Sequence, residues 1–369
     1  MKSYSDLYEK YISSENIEKS IRKASVGKRS KKSVQRRLAD PKLDNEIYYY
    51  ATHFRNRAHT PHLIHDGIRE KIREIIVPSF DELVIQHMVV YTLMPMFTKG
   101  MYEHSYGSIP NRGAHKGKKV IEKWIRNDGK NCRWCMKLDI RKYFDSISQD
   151  ILLAKLYRKI RDERFFAVVE EIIHTTPQGI PLGYYTSQWF ANWYLQDFDH
   201  YVKEVLRAKH YIRYMDDLVI FGSSRNELVE MHRRIQTYLK EQLGLELNER
   251  SRIFLFNYEN KGRIHGSPLD FMGFKFYRNR TILRKSIMIR ISRKARKLSR
   301  KVKITIHDIR QMLSYLGWIS CANVYGFYLA WVKPYVNFQY FKRRVTRFDK
   351  KGAKNESRMV QIIQYSKAA

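Results

Sequence analysis

Two adjacent carboxylates, Asp216 and Asp217, lie between two short apolar segments and restrict the possible folds more than any other feature of the sequence. The flanking segments, residues 211–214 and 218–221, are rich in the β-branched and aromatic residues that favour strands. We therefore expect the pair in a β-hairpin turn, where partly desolvated carboxylates repel each other unless a divalent cation neutralises them. The pattern predicts a metal-binding hairpin.

A third carboxylate, Asp139, lies near the end of another apolar segment, residues 136–140. This segment also has the pattern of a strand, and neighbouring strand ends would place all three carboxylates together. Such a set suits two Mg²⁺ ions, for which Mn²⁺ can substitute, bridging a triphosphate and an attacking 3′-hydroxyl. Asp139, Asp216 and Asp217 are therefore the predicted catalytic residues and metal ligands.

The charge of the chain indicates a polyanionic partner. Its 369 residues include 70 Lys and Arg against 37 Asp and Glu, a formal net charge of +33. The cations are interleaved with aromatic residues, as in a long nucleic-acid groove. A hydrophobic content of 43% excludes an intrinsically disordered chain. Because the sequence shows neither a long uncharged apolar run nor the apolar core of a signal peptide, we expect a cytoplasmic protein with no membrane partner.

Several further segments, taken with the carboxylates, resemble the motifs of a prokaryotic reverse transcriptase of the group II intron-like lineage. The resemblance extends roughly from Arg69 to Tyr277, and the motifs follow the family's order. They are a basic fingers strand, a template-contacting motif, the first metal-binding motif, a nucleotide-positioning motif and a primer grip, at residues 71–78, 105–113, 139–146, 181–188 and 271–274.

This resemblance implies an α+β fold, the right-hand polymerase with fingers, a palm and a helical thumb. The implied division is a basic N-terminal extension at 1–62, fingers at 63–134, a palm at 135–280 and a helical, basic thumb with a C-terminal tail at 281–369. Within the palm, residues 150–187 belong partly to the fingers. The implied activity is RNA-directed DNA polymerisation. A non-catalytic nucleic-acid-binding protein and an RNA-dependent RNA polymerase are the alternatives, and the three carboxylates speak against the first.

The resemblance assigns one set of residues to the metals and the incoming nucleotide. Ile140 joins Asp139 in the first metal-binding motif. Lys71 and Arg73 would neutralise triphosphate charge, and Arg250 would stabilise pyrophosphate. The ring of Phe144 resembles the steric gate that rejects a ribose 2′-hydroxyl and so favours DNA synthesis. The nucleotide-positioning motif contributes Leu182, Gly183 and Gln188.

A second set is assigned to the primer and template. It comprises Arg112 in the template-contacting motif, Tyr214 and Met215 beneath the primer end, Met272 and Gly273 in the primer grip, and Arg290, Arg293 and Lys297 on a basic helix. The last three share one helical face. That face is either a surface that tracks a duplex backbone through phosphates or a solvated charged face.

The nucleotide-positioning motif departs from the family pattern at Leu182, where most relatives carry Gln, and it closes with Ser187 and Gln188. This departure is typical of diversity-generating retroelement enzymes, whose copying is error-prone. Some reverse transcriptases of anti-phage defence share it, and the two biological roles stay open. In either role we expect dNTPs, a DNA product, a dedicated noncoding RNA as template and an accessory protein as a possible partner.

Overall fold

A computed structural model describes residues 3–57, 59–66, 71–260 and 262–350, without the side chains of residues 65, 66, 71, 259 and 260. The chain divides into two compact units, Met1–Gly266 and Ser267–Ala369. In the described part of the chain, helices are too short or too polar to cross a membrane. The predicted limits of fingers, palm and thumb remain predictions.

The first unit contains both helices and strands. Its helices are α1 (Leu7–Tyr11), α2 (Ser14–Ala24), α3 (Lys32–Leu38), α4 (Leu43–Thr52), α5 (Phe80–Thr98), α6 (Ala114–Asn127), α7 (Tyr143–Ser146), α8 (Gln149–Tyr157), α9 (Glu163–Ile173), α10 (Tyr185–Tyr194), α11 (Gln196–His200) and α12 (Arg225–Leu243). Its strands are β1 (His62–Asp66), β2 (Lys71–Ile75), β3 (Trp134–Asp139), β4 (His210–Tyr214), β5 (Asp217–Gly222), β6 (Arg252–Leu255), β7 (Tyr258–Asn260) and β8 (Arg263–His265).

The central sheet of this unit has the order β4-β5-β3-β6, and every pair in it is antiparallel. Strands β4 and β5 are almost fully buried, and α12 packs against β3, β5 and β6. Gly244 ends α12 in the left-handed conformation (φ 63°), as the sequence predicts for a helix that closes on glycine. The sheet fixes the register of the strands that carry the carboxylates.

Helix α5 forms the second part of the core. It is apolar on most of its circumference, as is typical of a buried helix, and it starts with a capping box between Ser79 and Glu82. Helix α2 packs on it through the buried Asn16, whose Nδ2 donates to the Met88 carbonyl at 3.1 Å and to the Thr92 hydroxyl at 3.3 Å. The basic N-terminal helices are thereby anchored to the core.

One predicted helix is interrupted in the structure. The sequence pattern predicts a single amphipathic helix over residues 188–206, whereas the chain forms α10, α11 and then a π-helical turn, Tyr201–Val205. The two sides of the break at Leu195 face the same interior, because Asn192 and Asp199 lie seven positions apart and still contact the same residue, Arg213. Periodicity alone therefore conceals the interruption.

The second unit consists of a small sheet and helices. Its elements are β9 (Leu269–Phe271), β10 (Phe274–Phe276), β11 (Thr281–Leu283), α13 (Lys285–Ser299), α14 (Ile306–Ser320), α15 (Tyr325–Trp331) and a last helix over 338–350. The three strands form an antiparallel meander. The ring of Phe274 packs against Trp318 of α14, with ring centroids 5.1 Å apart, so the sheet and helices share a core.

Candidate active site

The two-residue turn between β4 and β5 carries the first of the predicted carboxylates. Tyr214 pairs with Asp217, which leaves Met215 and Asp216 as the turn. On the other side of β5, Asp139 is the register partner of Asp217. Strand pairing thus brings the three predicted carboxylates to one end of the sheet, as the sequence pattern indicates. The half-buried Tyr214 and the buried Met215 lie in the same hairpin.

The electrostatics of this cluster favour a cation. Burial, together with the weaker effect of the negative charges of Asp217 and Asp139, raises the pKa of Asp216 to about 6. The Arg73 guanidinium acts in the opposite direction. Lys137 compensates part of the charge, since its Nζ lies 3.6 Å from Asp217 Oδ1. The ionised carboxylates therefore repel one another unless a cation supplies positive charge.

The donor chemistry fits a hard divalent cation, because carboxylate oxygens are the ligands that Mg²⁺ and Mn²⁺ prefer. In the described residues, no three His, Cys, Asp or Glu side chains converge on one point as ligands of a single ion. The carboxylates are thus close enough to perturb one another without forming a finished coordination shell. Ile140, the other predicted metal residue, is buried and its N–H donates to the Asp216 carbonyl at 3.3 Å.

The backbone of Asp139 is held by the turn that precedes β6. The Asn248 N–H donates to the Asp139 carbonyl at 2.7 Å, and the Asp139 N–H donates to Ser251 Oγ at 3.4 Å. Arg250 lies in the same turn with its side chain exposed, and its N–H donates to Asn248 Oδ1. The structure therefore places Arg250 next to the residues that hold Asp139, although its predicted pyrophosphate role remains a prediction.

The strand predicted to bind triphosphate lies within electrostatic range of the carboxylates. Arg73 is exposed on β2, and its charge acts on Asp216. Just after β2, the Ile76 N–H donates to the Leu182 carbonyl at 2.7 Å. This bond joins the nucleotide-positioning motif to the basic strand. The side chain of Lys71 lies outside the described residues.

Gly183 has a clear local reason to be glycine. Its φ is +106°, and a Cβ built on it would lie 2.1 Å from the Ile76 carbonyl oxygen. The close contact that glycine permits here is therefore a contact with the chain's own backbone. Leu182 beside it is half-buried. Gln188 accepts a short hydrogen bond from the hydroxyl of Ser108, which ties the motif to the template-contacting segment.

The predicted steric gate is anchored through its backbone. The Phe144 carbonyl accepts a hydrogen bond from the Ile180 N–H at 2.9 Å, two residues before Leu182. A Cβ on Gly179 would lie 2.4 Å from the same carbonyl oxygen. The Phe144 ring is half-buried against the core. This arrangement keeps Phe144 beside the nucleotide-positioning motif.

Arg112 has partners within its own loop. Its Nη1 donates to the carbonyls of Tyr102 at 2.5 Å and Ser105 at 3.0 Å. The guanidinium therefore braces the start of the template-contacting motif, while its predicted contact with the template is still a prediction.

The second unit contains the predicted primer grip. Met272 and Gly273 form the two-residue turn between β9 and β10, and both have positive φ, 50° and 84°. This is the pattern of a type I′ hairpin turn. A Cβ on Gly273 would lie 2.9 Å from Trp318 Cζ3, so the turn sits tightly on α14.

The predicted basic face of α13 is exposed at Arg290, Arg293 and Lys297. Lys301, which lies beyond the end of α13, pairs with the buried Asp308 at 2.7 Å. The three exposed cations thus share a face, and their contact with nucleic acid remains a prediction.

Four residues of the site could not be identified individually from the sequence. Gly107 lies under the turn, where a Cβ would come 2.5 Å from Met215 Cγ and 2.7 Å from the Met215 nitrogen. Asn192, Asp199 and Arg213 form a buried polar network beneath Met215. One signal in the sequence pointed to them: Arg213 is a charged residue inside an otherwise apolar strand, and such a charge needs a buried partner.

Residues 62–276 match the family model described as reverse transcriptase (RNA-dependent DNA polymerase). Among curated proteins, the chain is 24% identical over 145 residues to protein YkfC of Escherichia coli (strain K12), covering 36% of this chain and 38% of that protein. It is 25% identical over 209 residues to the group II intron-encoded protein LtrA of Lactococcus lactis subsp. cremoris, covering 54% of this chain and 33% of that protein. The matches thus span about a third of the length of these relatives.

Among solved structures, apo telomerase from Candida tropicalis aligns with a TM-score of 0.47 at 12% identity, over 69% of this chain and 52% of that chain. Telomerase from Candida albicans, solved with a fragment of telomeric RNA, aligns with a TM-score of 0.45 at 13% identity, over 77% and 56%. Divalent metal ions are a general requirement of the matched family. The family match covers more than half of the chain and confirms the predicted fold and enzyme class, so this protein belongs to the reverse transcriptase (RNA-dependent DNA polymerase) family.

Proposed function

We propose that this chain copies RNA into DNA by nucleotidyl transfer supported by two Mg²⁺ ions, for which Mn²⁺ can substitute. One observation carries the proposal: strand register brings Asp139 and Asp217 opposite each other, with Asp216 in the adjoining turn, in a chain of the reverse transcriptase family. When bound, the metals supply activation of the primer 3′-hydroxyl and charge for the leaving pyrophosphate. The three carboxylates would hold them, with Ile140 as the fourth residue assigned to the metal site.

Basic residues around this cluster bind the incoming dNTP in our account. Arg73 already acts electrostatically on Asp216, so a triphosphate lying between β2 and the carboxylates would meet positive charge on one side. Lys71 precedes Arg73 by two positions on the same strand. Arg250, in the turn that holds the Asp139 backbone, would stabilise the pyrophosphate, and because it is always charged it would act as a cation and not as a proton donor.

Phe144→Ala is expected to increase the use of ribonucleotides. The large ring anchored beside Leu182 would no longer clash with a 2′-hydroxyl, so the rNTP-to-dNTP ratio of kcat/KM should rise by about tenfold or more. Single-nucleotide incorporation with matched dNTP and rNTP measures this ratio. Phe166→Ala, which removes another half-buried ring on α9, is the matched control. An unchanged ratio in the Phe144 variant would remove its role as a gate.

For the biological role, we favour a diversity-generating retroelement that copies a dedicated noncoding RNA. The support is Leu182, whose aliphatic side chain cannot donate or accept a hydrogen bond to the templating pair, so discrimination against mispairs weakens. The alternative is anti-phage defence with templated or repetitive DNA synthesis. The exposed cations of α2 and α3, among them Lys23, Lys32 and Arg36, offer a phosphate-binding surface for the RNA outside the reverse transcriptase domain.

Leu182→Gln is expected to lower the misincorporation frequency, because the amide regains a hydrogen-bonding group next to the nascent pair. Sequencing of cDNA made by both proteins from one RNA template reads the error spectrum directly. Leu182→Met, which keeps the side chain apolar and similar in volume, serves as the control. Identical spectra for the Gln variant and the wild type would contradict the assignment.

Extension of a DNA primer on an RNA template with Mg²⁺ and dNTPs tests the polymerase activity itself. Wild-type protein should extend the primer and the metal-ligand variant Asp216→Asn should not. Equal extension by both proteins would show that these carboxylates do not perform the reaction.

A further inference from the structure

A fully buried ion pair lies beneath the hairpin turn that carries Asp216. Arg213 and Asp199 are each only 1% exposed. They are joined by hydrogen bonds from Nη2 to Oδ2 at 2.6 Å and from Nε to Oδ1 at 2.8 Å. The Tyr211 hydroxyl donates to Asp199 Oδ1 at 2.6 Å. Asp199 therefore receives donors from two residues of β4.

Burying two charges is expensive, and well-packed apolar residues often stabilise a fold as well or better. Stability alone therefore gives this pair no clear purpose. The pair is also fully hydrogen-bonded, which makes it stiff, and stiff polar networks favour a single local geometry. The ion pair is better explained by the residue that its hydrogen-bond network holds in place.

The network holds the Met215 backbone and side chain. Arg213 Nη1 donates to the Met215 carbonyl at 3.2 Å and to Asn192 Oδ1 at 3.1 Å. The Asn192 Nδ2 group contacts Met215 Sδ at 3.3 Å and donates to the Gly107 carbonyl at 2.9 Å. The Arg213 and Asn192 side chains that contact Met215 thus belong to one connected network.

Met215 needs such support because its φ is 56°, in the left-handed region that residues with a Cβ rarely adopt. Such a conformation persists only where the surroundings enforce it, and it concentrates at functional sites. Asp216 is the next residue. If Met215 relaxed, the Asp216 carboxylate would move relative to Asp139, whose backbone is also held by the turn before β6.

We propose that Asp199, Arg213 and Asn192 are positioning residues that lock the Met215–Asp216 turn in the geometry required for metal binding by the carboxylates. The inference rests on the proposed function and adds to it the residues that support the metal-binding carboxylates. All three side chains are buried. They act through the turn, and their loss changes metal affinity and turnover more than nucleotide binding.

Asn192→Ala tests the proposal, because it removes the contacts to Met215 and Gly107 while leaving the buried ion pair in place. We expect kcat to fall by about 10–100-fold, the loss typical of small misplacements in an active site. The Mg²⁺ concentration for half-maximal rate should rise several-fold, with the KM for dNTP nearly unchanged. A role confined to folding would lower the melting temperature and the active fraction without shifting the Mg²⁺ dependence.

Two buried tyrosine hydroxyls provide a matched pair of variants. Tyr211 and Tyr194 are both fully buried, and each hydroxyl donates a bond of 2.6 Å, to Asp199 Oδ1 and to the Leu243 carbonyl respectively. Tyr211→Phe should shift the Mg²⁺ dependence in the direction of Asn192→Ala. Tyr194→Phe should lose a comparable hydrogen bond and leave the Mg²⁺ dependence unchanged.

Mn²⁺ titration followed by electron paramagnetic resonance separates this inference from the proposed function. It measures metal affinity whether or not the protein polymerises DNA. Weaker Mn²⁺ binding in Asn192→Ala and Tyr211→Phe than in wild type and Tyr194→Phe supports the positioning role. Equal Mn²⁺ affinity in all four proteins overturns it. Wild-type protein that binds Mn²⁺ but makes no DNA on an RNA template would contradict the proposed function alone.

Discussion

Replacing Asp216 with asparagine is expected to abolish RNA-templated DNA synthesis and, in metal-free buffer, to stabilise the fold. The rate should fall by at least about 10²–10³-fold, since a charged metal ligand becomes a neutral amide of the same shape. Stability should rise because burial and the charges of Asp217 and Asp139 oppose ionisation of Asp216. Opposite signs for activity and stability are typical of a residue kept for function.

The gain in stability should depend on pH in a defined direction. The folded-state pKa of Asp216, about 6, lies above the ordinary value of 3.8. The stability that the protonated Asp216 carboxyl gives to the fold is therefore fully present below pH 3.8 and is lost as the pH rises through about 6. In chelator, the melting temperature of Asp216→Asn should match that of wild type near pH 4 and exceed it above pH 6. Asp44→Asn, at an exposed carboxylate on α4, controls for the general loss of one charge. A lower melting temperature for Asp216→Asn at pH 7 would contradict the electrostatic account.

Gly107→Ala is expected to have the second largest effect. Non-bonded carbon atoms are comfortable at about 3.5–4.0 Å, whereas the new Cβ would lie 2.5 Å from Met215 Cγ and 2.7 Å from the Met215 nitrogen. The side chain could rotate away, but the backbone nitrogen could not. The turn must therefore move, and we expect kcat to fall by about 10²-fold, with a loss of stability of about 1–3 kcal/mol.

Gly326→Ala is the control for this substitution. Gly326 lies within α15, and a Cβ there would meet nothing within 4 Å. The same chemical change should therefore leave activity intact and stabilise the helix slightly. Steady-state kinetics and thermal unfolding of the two variants provide the comparison. Full activity in Gly107→Ala would show that the turn tolerates displacement, which would also weaken the role assigned to the buried network.

The hairpin could be predicted from the sequence because its signals are local. Apolar runs of strand length flank Asp216 and Asp217, and one further strand ends on Asp139. Gly244 likewise marks the end of α12 by its own chemistry. In each case the residue types within a few positions determine the conformation, so neighbouring residues carry enough information.

The support beneath the turn could not be predicted in the same way, because its members are distant in the sequence. Gly107 is 108 positions from Met215 in the sequence. Asp199 contacts Arg213 only once the break between α10 and α11 and the π-helical turn after α11 have formed. The position of Arg213 inside an apolar strand indicates that a buried partner exists, but only tertiary packing identifies that partner. The break at Leu195 was concealed for a related reason, since both sides of it face the same core.

The most direct test of RNA-directed polymerisation is to give the purified 369-residue chain a primed RNA template, Mg²⁺ and dNTPs, and to sequence the DNA it makes. We predict DNA complementary to the RNA from wild-type protein and none from Asp216→Asn. No complementary DNA from wild type, or equal amounts from both proteins, would contradict RNA-directed polymerisation by these carboxylates.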